Sequence, residues 1–298
     1  MREINVLRGR KLSIEGAQHI GSGYCGDVYL IGGDTVVKVM KSTDYKDAER
    51  EILLSKWAFR KGLPTAISFD VADVDGHPGL VYESLGRGNL RNELRDHPES
   101  FDAVVEKYVA LLRKINSIPV EPGELPSALE KNRKELETAR AVITPEEYDR
   151  AKELLSTVPQ NRFLIHGDCQ VKNVKVLKGE LFLIDLDTLS CGDPIFELSA
   201  LYSSYRLFNR FNGYPINDFF DLPSCTVDRL IDALLKGYFG DISPEELEKN
   251  TRRVALSAYI HMISFCLTDW PDKPEVLEEM LKGFRECLPA VDTLELTY

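Results

Sequence analysis

Residues 164–193, LIHGDCQVKNVKVLKGELFLIDLDTLSCGD, place His166, Asp168, Asn173, Asp185 and Asp187 around two short apolar runs. Asn173 and Asp185 are hard oxygen ligands of the kind that suits Mg²⁺. Asp168 falls on a loop after the strand-like FLI, where a carboxylate can accept or orient the proton of an attacking hydroxyl. Phosphoryl transfer needs these parts: a metal bridging the phosphates, oxygen ligands for it, and a carboxylate beside the nucleophile. The hairpin pattern NVKVLKGELFLID brings ligands twelve residues apart to one point. Asp187 is open to three roles: a second metal, a substrate contact, or steadying of its own loop. His166, just before the loop, is expected to satisfy backbone groups.

A second cluster, GSGYCGDVY, spans Gly21 to Tyr29 and fits G-x-G-x-x-G-x-V through Gly21, Gly23, Gly26 and Val28, with Ser22 inside the turn. Glycines at this spacing let backbone amides approach phosphates. A dinucleotide fingerprint would lead into a helix. Here the glycines lead into VYLIGGDTVVKVM, which is strand-like, so that reading is excluded. Lys38 lies on the second of these strands, on the face opposite Val37 and Val39. A helix carrying Glu49 and Glu51 follows. One carboxylate from it can hold Lys38 against the α- and β-phosphates. Glu51 is the first choice and Glu49 the second; residues two apart on a helix point different ways.

The elements that must position these groups can be read from periodicity. Residues 12–40 alternate β-branched residues with glycine turns. Residues 44–61 have helical spacing, with Gly62 and Pro64 ending the run. AISFDVADV and GLVYESL follow as strands, and then GRGN makes a joint. FDAVVEKYVALLRKINSI is an amphipathic helix, residues 124–157 read as two charged helices broken near Pro145, and helical patterns dominate after Pro194. The expected plan is α+β in two lobes, residues 1–85 binding nucleotide and 86–298 carrying catalysis and acceptor binding.

Composition narrows the function. The 298-residue chain carries a net charge of −11, which disfavours nucleic acid and is compatible with a cationic acceptor. VALSAYIHMISFCL is too short to span a bilayer and contains His261, which is expected to be a satisfied core histidine. The six cysteines are scattered, and MREINVLRGR has no apolar leader run. Free thiols, no membrane association and a cytoplasmic location are expected.

The set G-x-G-x-x-G-x-V, Lys38, Glu51, H-G-D-x-x-x-x-N and I-D-x-D, followed by G-D-P-I-F-E-L, resembles the aminoglycoside phosphotransferase and choline kinase-like family, small-molecule relatives of protein kinases. The resemblance covers about residues 12–270. It implies a bilobal protein kinase-like fold with a small antiparallel-sheet lobe plus one helix and a larger helical lobe. It implies Asp168 as catalytic base, Asn173 and Asp185 as Mg²⁺ ligands, and Lys38 with Glu51 holding ATP or GTP. The stretch Tyr82 to Leu85, with Glu83 and Leu85, would offer backbone hydrogen bonds to a purine. Asp193 matches the family's structural G-D-P aspartate; Glu197 stands where an aspartate is usual, and its longer side chain has to fold back to reach the same loop. The implied acceptor is the hydroxyl of an aminoglycoside, amino sugar, choline-like alcohol or sugar. A nucleotide-binding scaffold without turnover is the alternative. A protein kinase is the lesser one, since no long activation segment fits between Asp187 and Pro194.

Overall fold

Strict alternation of side chains builds the first sheet. Val37, Ala72, Val74 and Val81 pack together on one face. Met40, Val71 and Leu80 pack on the other, against Ala48 and Ile52 of a helix. Lys38 lies between Val37 and Val39, so it shares Met40's face and points toward that helix. The strands are β1 (Arg10–Lys11), β2 (Gln18–Ser22), β3 (Gly26–Gly32), β4 (Thr35–Met40), β5 (Ser68–Val74) and β6 (His77–Glu83), and the helix is α1 (Tyr45–Arg60). Their order is β1-β5-β6-β4-β3-β2. All neighbours are antiparallel except β1 with β5. Asp44 caps α1 by accepting from the Lys46 amide at 2.9 Å, and Gly62 ends the turn beyond it with a positive φ of 83°.

This computed structural model describes residues 10–23, 25–208 and 219–298; residues 1–9, Tyr24 and 209–218 lie outside the described residues, and with them nearly all of the stretch read for a leader and one position of the glycine motif.

The chain forms two compact units. The first comprises the sheet, α1 and the chain as far as Asn92, together with Val171–Thr188. The second segment belongs there because its antiparallel hairpin, Val174–Leu177 with Glu180–Leu183, is bonded to it. The Leu183 amide donates to the Pro64 carbonyl at 2.7 Å, the Thr65 hydroxyl donates to the Leu183 carbonyl at 2.8 Å, and the Val176 amide donates to the Gly88 carbonyl at 3.0 Å. A boundary drawn at residue 86 leaves this hairpin with the remainder of the chain, because its partners are far away in sequence.

The second unit, Glu93–Gln170 with Leu189 onward, is mainly helical. Its long helix Pro244–Thr268 packs against Pro274–Cys287, Ala128–Ala139 and Ile195–Tyr202. The two charged helices are Ala128–Ala139 and Pro145–Ser156. The break before the second is a capping box, in which Thr144 and Glu147 satisfy each other's backbone amides. A short antiparallel ribbon, Phe163–Ile165 with Ser190–Gly192, runs through the unit. All six cysteines are free. Among the described residues no helix is long and apolar enough to cross a membrane.

Candidate active site

The first unit assembles a pocket around Lys38. Its ammonium donates to Glu51 Oε1 and Oε2 at 3.0 and 3.1 Å and to Asp185 Oδ1 at 2.8 Å. These are its partners; Glu49, two residues earlier on α1, is not among them. Burial works against the charge on Lys38, but Asp185 and Glu51 outweigh it and hold the ammonium above its ordinary range. Glu51 is buried and further held by the Tyr82 hydroxyl, which donates to Oε1 at 3.2 Å. Sequence reasoning missed Tyr82 as a partner of this carboxylate, since only the pairing of β4 with β6 brings Tyr82 beside it.

Ile20, Val28 and Val36 give the pocket an apolar wall from the sheet. Ile184, Asp185, Leu186 and Lys175 line it from the hairpin and the turn after it, and Glu83, Ser84, Leu85 and Gly86 form an edge. That edge is rigidly tied. The Glu83 amide donates to the Ile67 carbonyl at 2.9 Å, while its side chain accepts from the Ile67 amide at 2.7 Å. The Ser84 amide donates to the Asp34 carbonyl at 2.8 Å. The Leu85 amide has no hydrogen-bond partner among the described residues.

The glycine turn closes where the Gly23 amide donates to the Gly26 carbonyl at 2.8 Å, and Lys41 tethers it by donating to the Gly23 carbonyl at 2.9 Å. Gly21 and Ser22 pair with Val28 and Asp27 across the β2–β3 ladder. Gly26 has no room for a side chain, since a Cβ there would lie 2.3 Å from the Val39 carbonyl oxygen. Cys25, next to it, is partly buried; burial pushes its thiol up and away from the reactive thiolate form.

Asn173 and Asp185 flank the open end of the hairpin, where the Ile184 amide donates to the Asn173 carbonyl at 3.0 Å. Asp185 has a left-handed φ of 57°, a conformation that aspartate tolerates better than most residues. One of its oxygens takes Lys38, and 42% of its side chain remains exposed. One amide oxygen and one carboxylate fit Mg²⁺, which takes one or two protein ligands and completes its shell with phosphates and water. Among the described residues no group of three or more His, Cys, Asp or Glu gathers as a metal cage. Asp187 sits in a short 3₁₀ turn and lines a separate hollow with Lys41, Arg50 and Glu51.

The second unit holds Asp168. The residues before it are fixed by Glu197, which is fully buried. Its Oε2 accepts from the His166 amide at 2.5 Å and its Oε1 from the Gly167 amide at 3.3 Å. The longer side chain therefore does reach the loop. Burial pushes the Glu197 carboxyl up to about 7, against the pull of those two amides. His166 is buried, and its Nδ1 accepts from the Asp168 amide at 3.2 Å. Gly167 takes a positive φ of 79°, which only glycine adopts freely. On the far side of Asp168, the Tyr108 hydroxyl donates to the Cys169 carbonyl and lies 3.1 Å from the Tyr205 hydroxyl. Asp193 accepts from Asn161 at 2.8 Å and from the Ile195 amide at 3.0 Å, opening the next helix. His261 meets Glu135 at 2.7 Å.

A glycine turn over a sheet, a strand lysine paired to a helix glutamate, and a hairpin carrying Asn173 and Asp185 are features of a protein kinase-like fold. The profile of the phosphotransferase enzyme family matches residues 16–246. The chain belongs to that family and is a small-molecule kinase. Solved structures with the same fold include aminoglycoside phosphotransferase APH(4)-Ia, a thermostable mutant in a ternary complex with ADP and hygromycin B. It is 14% identical, covers 93% of this chain and 96% of its own, and has a TM-score of 0.62. The GDP complex of an aminoglycoside 2′-phosphotransferase IIIa mutant is 14% identical over 91% of this chain and 90% of its own, with a TM-score of 0.57. A choline/ethanolamine kinase family protein from Mesorhizobium loti is 15% identical over 93% of this chain and 88% of its own, with a TM-score of 0.56. No curated protein matches the sequence.

Proposed function

We propose that the chain moves the γ-phosphoryl group of ATP or GTP, with Mg²⁺, to a hydroxyl of a small molecule. The acceptor is an aminoglycoside, another amino sugar, a choline-like alcohol or a sugar. The observation that carries this reading is the Lys38 ammonium, held by Glu51 and Asp185 in one pocket with an unused Leu85 amide at its edge. A cation held between two carboxylates is pre-positioned, and phosphate oxygens can take over donors it now gives to Asp185 or to the second Glu51 oxygen. Solved relatives were captured with ADP and hygromycin B in one case and GDP in another.

In this reading the Leu85 amide and the backbone at Glu83 meet the purine edge, and Ile20, Val28, Val36 and Leu186 cover its faces. The amides of Gly21, Ser22, Gly23 and Gly26 approach the phosphates, and Lys38 holds them in line. Asn173 and Asp185 would hold Mg²⁺, which neutralises charge on the transferring group. Asp168 accepts or orients the proton of the attacking hydroxyl, and Asp187 supports the metal-binding loop or meets substrate. Because Glu197 and Tyr108 fix the backbone on both sides of Asp168, the carboxylate needs little reorganisation when an acceptor arrives.

Calorimetric titration with ATP and GTP, with and without Mg²⁺, tests the reading. Binding that strengthens with Mg²⁺ in the wild type, and loses that dependence in Asp185→Asn, is expected. Binding of neither nucleotide under any condition would remove the nucleotide site and with it the proposed reaction.

A further inference from the structure

We propose that Lys175 selects the donor base, making the pocket favour a guanine over an adenine nucleotide. The inference rests on the reading of this pocket as the nucleotide site. Lys175 is the second residue of the hairpin strand Val174–Leu177, two residues after Asn173 in the chain. It lines the pocket with Ile184 and Leu186.

The charges of this pocket are otherwise accounted for. Lys38, Glu51 and Asp185 bind one another, and Glu83 is held by the Ile67 amide. The Lys175 ammonium alone has no hydrogen-bond or ion-pair partner among the described residues. The charged group acting on it is the like-charged Arg91. A half-buried cation without a counter-ion is a donor awaiting an acceptor.

The two purines differ in what they can offer it. Guanine presents two acceptors on one edge, O6 and N7; adenine replaces O6 with an amino donor. Lysine carries donors only. Guanine therefore offers the ammonium two acceptors, whereas adenine keeps N7 but sets its amino donor beside the ammonium in a partly desolvated pocket. The ribose and phosphates are common to both nucleotides, so contacts to them carry no preference.

The test is calorimetry with Mg²⁺ and GTP, ITP or ATP, on the full chain and on Lys175→Met. Methionine keeps the stem and its apolar contacts and removes the charge and donors. ITP keeps O6 and N7 and lacks the 2-amino group. The expected result is GTP and ITP binding about 10- to 100-fold more tightly than ATP to the wild type. In Lys175→Met the preference falls to within about threefold, mainly through weaker GTP and ITP binding. Four outcomes overturn the proposal: a wild type that prefers ATP, a variant that keeps the wild-type ratio, equal weakening of all three nucleotides (Lys175 reading the sugar or phosphates), or ITP behaving like ATP. Failure of every nucleotide to bind the wild type is a separate result, and it removes the nucleotide reading itself.

Discussion

Replacing Glu197 with glutamine tests whether a buried carboxyl supports the turn before Asp168. Glu197 is wholly buried and its two oxygens accept from the His166 and Gly167 amides. Burial raises its pKa from 4.5 to about 7. A carboxyl whose folded value lies above its unfolded one stabilises the fold fully below the unfolded value. That contribution is lost as pH rises through the folded value. A rise of this size corresponds to about 3 kcal/mol lost between about pH 4.5 and pH 7. In a chain of this length each kcal/mol moves Tm by roughly 2 °C, so this group alone lowers the wild-type Tm by roughly 6 °C across the window. Glutamine cannot ionise, so Glu197→Gln lacks that step. It also turns an amide donor toward two backbone donors, and starts from a lower Tm at acid pH. Scanning calorimetry of both proteins from pH 4.5 to pH 8 reads the difference directly. Parallel profiles for the two would refute the reasoning, because they would mean that Glu197 does not titrate in this interval.

Three further substitutions probe separate parts of the account. Lys38→Met leaves the buried Glu51 without its cation; we expect a loss of about 3–5 kcal/mol in urea unfolding together with weakened nucleotide binding, and a loss under about 1 kcal/mol would contradict the described ion pair. Gly26→Ala forces a Cβ against the Val39 carbonyl, 2.3 Å away, and is expected to cost about 1–3 kcal/mol in thermal unfolding; an unchanged Tm would contradict the close approach of β3 to β4. Asn250, fully buried, accepts from the Thr297 amide at 3.1 Å and donates to its carbonyl at 2.6 Å, so Asn250→Ala should release this tail and cost about 1–3 kcal/mol, seen as faster amide exchange at residues 294–298.

Much of this arrangement is written in local pattern. The period-2 runs around Lys38 and Leu80 and the helical spacing of Ala48 and Ile52 specify a sheet with a helix on one face, and the structure has that sheet and that helix. The spacing of Asp168, Asn173 and Asp185 marks a loop and a hairpin. What local pattern does not carry is long-range pairing. The hairpin of residues 174–183 joins the first unit through Pro64, Thr65 and Gly88, contacts that no neighbouring residue announces. No local pattern marks Tyr108 or Tyr205; only the folded chain brings their hydroxyls together beside the Cys169 carbonyl. Lys175, close to Asn173 in the chain, lines the pocket only because the hairpin is bonded to the chain at Pro64, Thr65 and Gly88. The reach of Glu197 depends on a side-chain conformation, which residue identity alone does not determine.

The most direct measurement of the central claim is transfer of radiolabelled γ-phosphate to a panel of hydroxylated amines and sugars by the wild type and Asp168→Asn, with nucleotide affinity measured on both. The account predicts that the wild type labels at least one acceptor. It predicts that Asp168→Asn labels that acceptor about 10²- to 10⁴-fold more slowly while nucleotide affinity stays within about threefold. Equal transfer by the two proteins would contradict the role assigned to Asp168, and the absence of any labelled acceptor alongside tight nucleotide binding would move the chain from enzyme to nucleotide-binding scaffold.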